Sequence, residues 1–172
     1  MSQAIAHGTS TSHRGTHTLR FALFLPHAVA RVWGAVATPV GLPQWLATAD
    51  VFESRLGGHV TLRGAGVPAE AAGTVTAWET EQVAEYTFAG HGRVRFHLES
   101  VGAEATVVRF THEFTGPDER RPDALACWHQ HFEYLYEALE GLPRERTGRP
   151  AGHRERWQEL RAAYLPRGGR HS

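Results

Sequence analysis

Histidine and cysteine are the residues through which this chain could do chemistry, and it holds twelve of the first and one of the second. His112 stands in the run Thr106 to Phe114, where strict alternation sets Val108, Phe110, His112 and Phe114 on one face. An imidazole among apolar side chains can act as general acid or base near neutral pH. More often such a position is a core histidine whose nitrogens are satisfied by a helix or a loop. Across Gly73 to Glu79 the same alternation groups Thr74, Thr76 and Trp78, an aromatic wall with hydroxyls. That mixture suits either the orientation of a polar group on an apolar ligand or ordinary inner-face packing.

The remaining candidates are weaker in chemical terms. His129 and His131 are two residues apart in a helical stretch, so they point about 200° apart and cannot share a metal ion. His131 leans toward the buried side near Cys127 and Leu135, while His129 is expected at the surface; His91 and His97 fall on a turn and an outer face. Cys127 sits in mid-helix with no base suggested beside it, which reads as buried filler rather than a nucleophile. Gly64-Ala-Gly66 lacks the third glycine and following helix of a dinucleotide loop. No serine triad, phosphate loop, paired-carboxylate spacing or metal-ligand spacing is present, so neither a cofactor nor a metal is expected.

These residues need elements to hold them. The longest helical signal runs from Pro122 to Gly141, with Leu125, Trp128, Phe132, Leu135 and Leu139 at steps of three or four. Before it, Thr18 to Leu25 reads as a strand, Pro26 to Thr38 and Leu42 to Leu46 as short helices, and Val51 to Phe114 as strands. The strand segments are Val51 to Leu56, His59 to Arg63, Gly73 to Glu79, Ala84 to Phe88, Arg93 to Ser100 and Thr106 to Phe114. The pattern predicts an α+β fold: a curved antiparallel sheet of six to seven strands around one long C-terminal helix, with two short helices after the first strand. A sheet curved around a helix leaves a cavity between the two.

Length and composition agree with one such domain. The chain has 172 residues, 41% of them hydrophobic, and its single cysteine excludes an internal disulfide. Residues 1–17 are rich in Ser, Thr, His and Gly and are expected to be a disordered tail; no stretch is long and apolar enough to span a bilayer, and a cytoplasmic location is expected. The domain is expected over 18–142, followed over 143–172 by a Gly, Arg and Pro-rich linker and a short helix carrying Trp157, Leu160 and Tyr164. Every basic residue is arginine. Residues 18–143 carry 15 acidic groups against nine arginines, a net of −6, and residues 144–172 carry eight arginines against three glutamates, a net of +5. A basic tail that folds back on an acidic body accounts for this better than a nucleic-acid footprint, which would need more aromatic interleaving.

Three local patterns, Pro39-Val-Gly-Leu-Pro-Gln-Trp-Leu46, Leu56-Gly-Gly-His-Val60 and Phe110-Thr-His112, together with the Cys127-Trp-His segment of the long helix, resemble the SRPBCC superfamily. The likeness covers 18 to about 141 and is strongest to the branch named for the activator of heat shock protein 90 ATPase homologue. The segment from Trp157 to Tyr164 is similar to the C-terminal extension of many single-domain bacterial members. The resemblance implies a helix-grip fold whose deep apolar pocket binds a lipid, polyketide or other hydrophobic small molecule. It does not imply chaperone binding, for which the separate domain of the eukaryotic co-chaperone would be expected. The long helix departs from its relatives at Cys127, where they often have glycine, and at His131, Tyr134 and Tyr136, which make it bulkier and more polar.

The expected ligand-binding set is therefore Trp33, Trp45, Thr76, Trp78, Tyr86, Phe96, Phe110, His112, Trp128, His131 and Phe132. Two functions remain open at this point. One is a binding protein for a hydrophobic molecule; the other is an enzyme of the polyketide cyclase or aromatase type, with His112 as its acid or base. A protein-interaction module is less well supported, because Arg93, Arg95, His97, Glu99 and Arg109 read as a solvated surface. The sequence is compatible with a monomer or a homodimer.

Overall fold

The structure, a computed structural model, describes residues 5–64, 70–141 and 152–165. Eight strands form one antiparallel sheet: β1 (Thr9–His13), β2 (Thr16–Leu25), β3 (Thr48–Phe52), β4 (His59–Arg63), β5 (Ala71–Glu79), β6 (Val83–Phe88), β7 (Gly92–Ser100) and β8 (Thr106–Thr115). Their spatial order is β1-β2-β8-β7-β6-β5-β4-β3. Helix α1 (Val29–Val36) and a single 3-10 turn (Leu42–Gln44) connect β2 to β3; α2 (Arg120–Leu139) follows β8, and α3 (His153–Tyr164) follows α2. The fold is α+β, with the sheet wrapped on the long helix as the spacing of apolar residues requires. The expected linker residues up to 151, part of the loop after Arg63 and the Pro166 to Gly169 stop fall outside the described residues.

The expected strand count was six to seven, and the additional strand is β1, inside the segment expected to be disordered. Its sequence, Thr-Ser-Thr-Ser-His, has no apolar alternation to reveal it. Backbone pairing supplies the order instead, from Thr9 opposite Arg20 to His13 opposite Thr16. Arg14 and Gly15 both adopt positive φ, at 53° and 81°, the pair of left-handed residues that a two-residue hairpin turn requires. Side chains then fasten the strand. Ser12 Oγ lies 2.7 Å from Nδ1 of the fully buried His17, and the Nε2 of His17 donates to the Gly116 carbonyl at 2.7 Å.

Two further boundaries differ from the sequence reading. The third strand lies at Thr48–Phe52 rather than Val51 to Leu56, and Leu56 is exposed on the turn after it. In β5 a bulge falls between Val75 and Ala77: Val75 pairs with Tyr86, but Ala77 pairs with Glu85. One extra residue reverses which side chains face inward. Val75 and Trp78 therefore point in, while Thr76 is turned to the outer face, where its hydroxyl donates to Glu85 at 2.7 Å.

Helix α2 is the axis of the structure. Its 20 residues span about 30 Å, and Phe132, fully buried, lies edge-on to Phe21 and Phe110 of the sheet, with ring centroids 5.1 and 5.0 Å away. The opposite side of α2 is covered by α3. Gln130 donates to the His153 carbonyl at 2.8 Å, Tyr134 Oη is 2.7 Å from His153 Nδ1, and Arg156 and Arg161 grip Glu133 and Asp123. The described part of the C-terminal segment, α3, thus docks on α2 through two of its arginines. Within α2 only Arg120 is exposed.

This double burial overturns the surface placement of His129, which is only 3% exposed. The Gly8 amide donates to Tyr164 Oη at 2.9 Å, leaving that hydroxyl to donate to His129 Nδ1 at 2.8 Å. Burial pushes the His129 pKa from 6.5 down to about 4, against an opposing pull from Glu133. In the unfolded chain the same imidazole takes up a proton near 6.5. Folding stability should therefore be full above pH 6.5 and fall as the pH drops from there to about 4, by no more than about 1.4 kcal/mol per pH unit from this group. Urea unfolding at half-unit intervals from pH 7.5 to 4 checks this. The slope should lessen in His129→Gln, and an unchanged slope in that variant would contradict the assignment.

Candidate ligand cavity

A cavity of about 780 Å³ lies between the inner face of the sheet and α2, within the range of small-molecule sites. The sheet contributes Leu62, Ala71, Tyr86, Phe88, Val94 and Phe96, each buried and each inward by alternation. Leu42 and Leu46 close one side from the 3-10 turn and the residues after it. From α2 come Ala124, Cys127, Trp128 and His131, at the three and four residue steps that align one helix face. His153 and Trp157 of α3 complete the wall.

Five of the expected binding residues meet here: Tyr86, Phe96, His112, Trp128 and His131. Trp45, Phe110 and Phe132 do not line the space, because they form the solid core beside it. Phe132 is stacked between Trp45 at 6.0 Å and Trp128 at 5.6 Å, each at 27° between ring planes, and Phe110 lies 4.5 Å from Trp128. Trp33 and Trp78 pair with each other at 5.0 Å, outside the cavity lining. Thr76 is on the outer face of the sheet. The sequence reading missed the aliphatic part of the wall, and it missed α3, whose contact with the cavity arises only from the path of the chain after α2.

His112 is fixed from two directions. The indole N–H of Trp128 donates to its Nδ1 at 2.9 Å, and its Nε2 donates to the His91 carbonyl at 2.8 Å. An indole can only donate and a carbonyl can only accept, so the neutral Nε2–H tautomer satisfies both bonds. Burial lowers the pKa of His112, with the bond to His91 opposing and nearby Arg120 adding to the shift. Gly92 makes this geometry possible: it holds φ at +87°, and a Cβ there would stand 2.0 Å from the Glu113 carbonyl oxygen. The turn through His91 can therefore close tightly against β8.

Other polar groups in the wall are also engaged. Tyr86 donates its hydroxyl to the Val36 carbonyl at 2.9 Å, and burial raises its pKa. The imidazole of His131 donates from Nδ1 to the Cys127 carbonyl at 2.9 Å, and the Cys127 sulfur lies 3.8 Å from the same nitrogen. With that nitrogen carrying its proton to the backbone, it is not the base that would activate the thiol. Among the described residues no group of three His, Cys, Asp or Glu side chains is placed to hold a metal ion. Among them, too, no helix is long and apolar enough to cross a membrane.

Residues 26–140 match the family described as "Activator of Hsp90 ATPase homolog 1-like protein". The chain belongs to this family. Among solved structures, CalU16 from Micromonospora echinospora is similar at a TM-score of 0.72 and 18% identity, over 95% of this chain and 96% of that one. DynU16, described as a putative protein in the dynemicin biosynthetic locus, matches at 0.64 and 24% identity, over 77% of this chain and 51% of that one. The Aha1 dimer from Colwellia psychrerythraea matches at 0.60 and 22% identity, over 72% of this chain and 96% of that one. At these identities the likeness shows the fold alone. A search of curated proteins finds no match.

The bonds to His112 have a spectroscopic consequence. In nitrogen-detected NMR titration, His112 should remain the Nε2–H tautomer and gain its second proton only below pH 6.5. Trp128→Phe, which removes the donor to Nδ1, should shift the Nδ1 resonance and leave the fold intact. A His112 that titrates at or above 6.5, or that shows the Nδ1–H tautomer, would contradict the geometry.

Proposed function

We propose that this member of the Activator of Hsp90 ATPase homolog 1-like family binds a hydrophobic small molecule, a lipid, polyketide or similar compound, in the space between sheet and α2. The observation that carries the reading is the cavity of about 780 Å³, with a largely aliphatic and aromatic interior and a few fixed polar groups. A preformed cleft of this size, mostly apolar with a few fixed polar groups, is the usual form of a small-molecule site and is not the small sealed void of incidental poor packing. Tyr86 and His112 present apolar ring surface to the ligand because their polar atoms are committed to the backbone and to Trp128. The occurrence of one structural neighbour in a biosynthetic locus supports a product or intermediate of biosynthesis as the ligand class. The protein acts as a monomer or a homodimer, the second being the state named for the Colwellia neighbour.

The alternative of an enzyme with His112 as acid or base is less well supported. Each ring nitrogen of His112 already holds a hydrogen bond, so proton transfer to a ligand would first require one of those bonds to break. A fixed histidine suits shaping and orienting a guest better than exchanging protons with it.

Nile red, a neutral apolar dye, tests the binding reading. Its fluorescence should rise and shift to the blue on addition of the protein, with one saturable site. Ala124→Trp puts a large ring into the cavity from the second turn of α2, where Ala124 is only partly buried, and should weaken uptake about tenfold or more with an unchanged far-ultraviolet circular dichroism spectrum. Absence of a saturable signal in the wild type, or full uptake by Ala124→Trp, would refute the proposal.

A further inference from the structure

The mouth of the cavity has a chemistry that its interior lacks. Among its lining residues the exposed ones are Arg120, Gly152, Arg154, Glu155 and Gln158, all from the starts of α2 and α3, so this is where the space meets solvent. We propose that the ligand is an anionic amphiphile: an apolar body lodged in the cavity and a terminal carboxylate held at the mouth by Arg120 and Arg154. This rests on the reading that the cavity binds a hydrophobic molecule, and it adds the class of that molecule's polar end.

Charge at the mouth is the basis. Elsewhere on the described surface the arginines beside acidic groups are paired: Arg63 with Asp50, Arg93 with Glu113, Arg95 with Glu85, Arg109 with Glu99 and Arg156 with Glu133. Arg20, Arg31 and Arg121 donate instead to neutral groups, Thr11, the Leu139 carbonyl and Ser10, and Arg120 likewise has no carboxylate. Its guanidinium lies over the Phe114 ring at 5.3 Å and reaches the Thr115 carbonyl, at 3.5 Å. Among the described residues no carboxylate comes within ion-pair distance of Arg120 or Arg154. The acids at the mouth are Asp123, which Arg161 already holds, and Glu155. With Asp123 taken up by Arg161 from outside the lining, Arg120 and Arg154 face Glu155 alone among the described charged residues of the lining.

A carboxylate fits that excess better than an alcohol or an amine. The planar guanidinium presents paired N–H donors that match both oxygens of a carboxylate, and a charged acceptor strengthens each bond. An ammonium head would meet two arginines and be repelled. A hydroxyl would gain a hydrogen bond but leave the charge unbalanced. The apolar body can be a flexible alkyl chain or a fused aromatic ring system, and both carry the same head.

Displacement of Nile red by matched pairs at pH 7.5 tests this: laurate against lauryl alcohol for the chain, and 2-naphthoate against 2-naphthol for the rings. The acid of at least one pair should displace the dye at a concentration about tenfold lower than its alcohol, and the pair that shows the larger ratio identifies the kind of body. In the double variant R120Q/R154Q the ratio should fall to about one. Because the ratio is taken within each protein, a general change in affinity does not affect it. Equal displacement by acid and alcohol in both pairs, a preserved ratio in R120Q/R154Q, or uptake of Nile red with displacement by none of the four compounds would each overturn the inference while leaving the cavity reading intact. Failure of Nile red itself to bind would overturn both.

Discussion

The structure depends on burying α2 from both sides. A helix gripped by a sheet normally keeps one polar face in water, but here α3 and residues near the N-terminus cover that face. The ion pairs of Arg156 with Glu133 and Arg161 with Asp123 hold the cover in place, and His129, Gln130 and Tyr134 become interior groups with partners on α3. The buried polar residues of α2 are therefore explained by a second packing partner: His129, Gln130 and Tyr134 face α3, while Tyr136 reaches the Phe24 carbonyl at 2.8 Å.

The same helix divides into a packed half and an open half. Toward its C-terminus Phe132, Leu135 and Leu139 fill the space against the sheet, leaving Phe132 and Leu135 fully buried. Toward its N-terminus the inward positions are Ala124 and Cys127, too small to reach the sheet, and the cavity occupies the difference. Trp128 stands on the boundary, stacked on Phe132 on one side and bonded to His112 on the other. A rigid wall follows from this, because moving Trp128 would disturb an aromatic stack and a histidine hydrogen bond together.

Much of this architecture was legible in the order of residues, and the failures have physical causes. Period-two alternation identified β2, β4, β7 and β8 because each presents large apolar side chains to one side only. It failed in β5, where a bulge at Thr76 changes the parity without any local sign such as glycine. It failed at β1, where stability comes from backbone pairing and from Ser12 and His17 rather than from apolar burial. Of the residues expected to bind a ligand, Tyr86, Phe96, His112, Trp128 and His131 line the cavity because inward direction can be read from period. Whether an inward residue lines a void or a solid core depends on volumes summed over several elements, so Trp45, Phe110 and Phe132 could not be told from true lining residues. The role of α3 was invisible for a related reason: a helix after a Gly and Pro-rich segment can dock anywhere its charges allow.

The central claim is that the space between the sheet and α2 is a binding site, and native mass spectrometry of the protein purified without detergent tests it most directly. The account predicts a population heavier than the bare chain by the mass of a small organic molecule, converted to the bare mass by organic extraction, and absent from Ala124→Trp. A single bare mass that remains unchanged after incubation with saturating Nile red would contradict it.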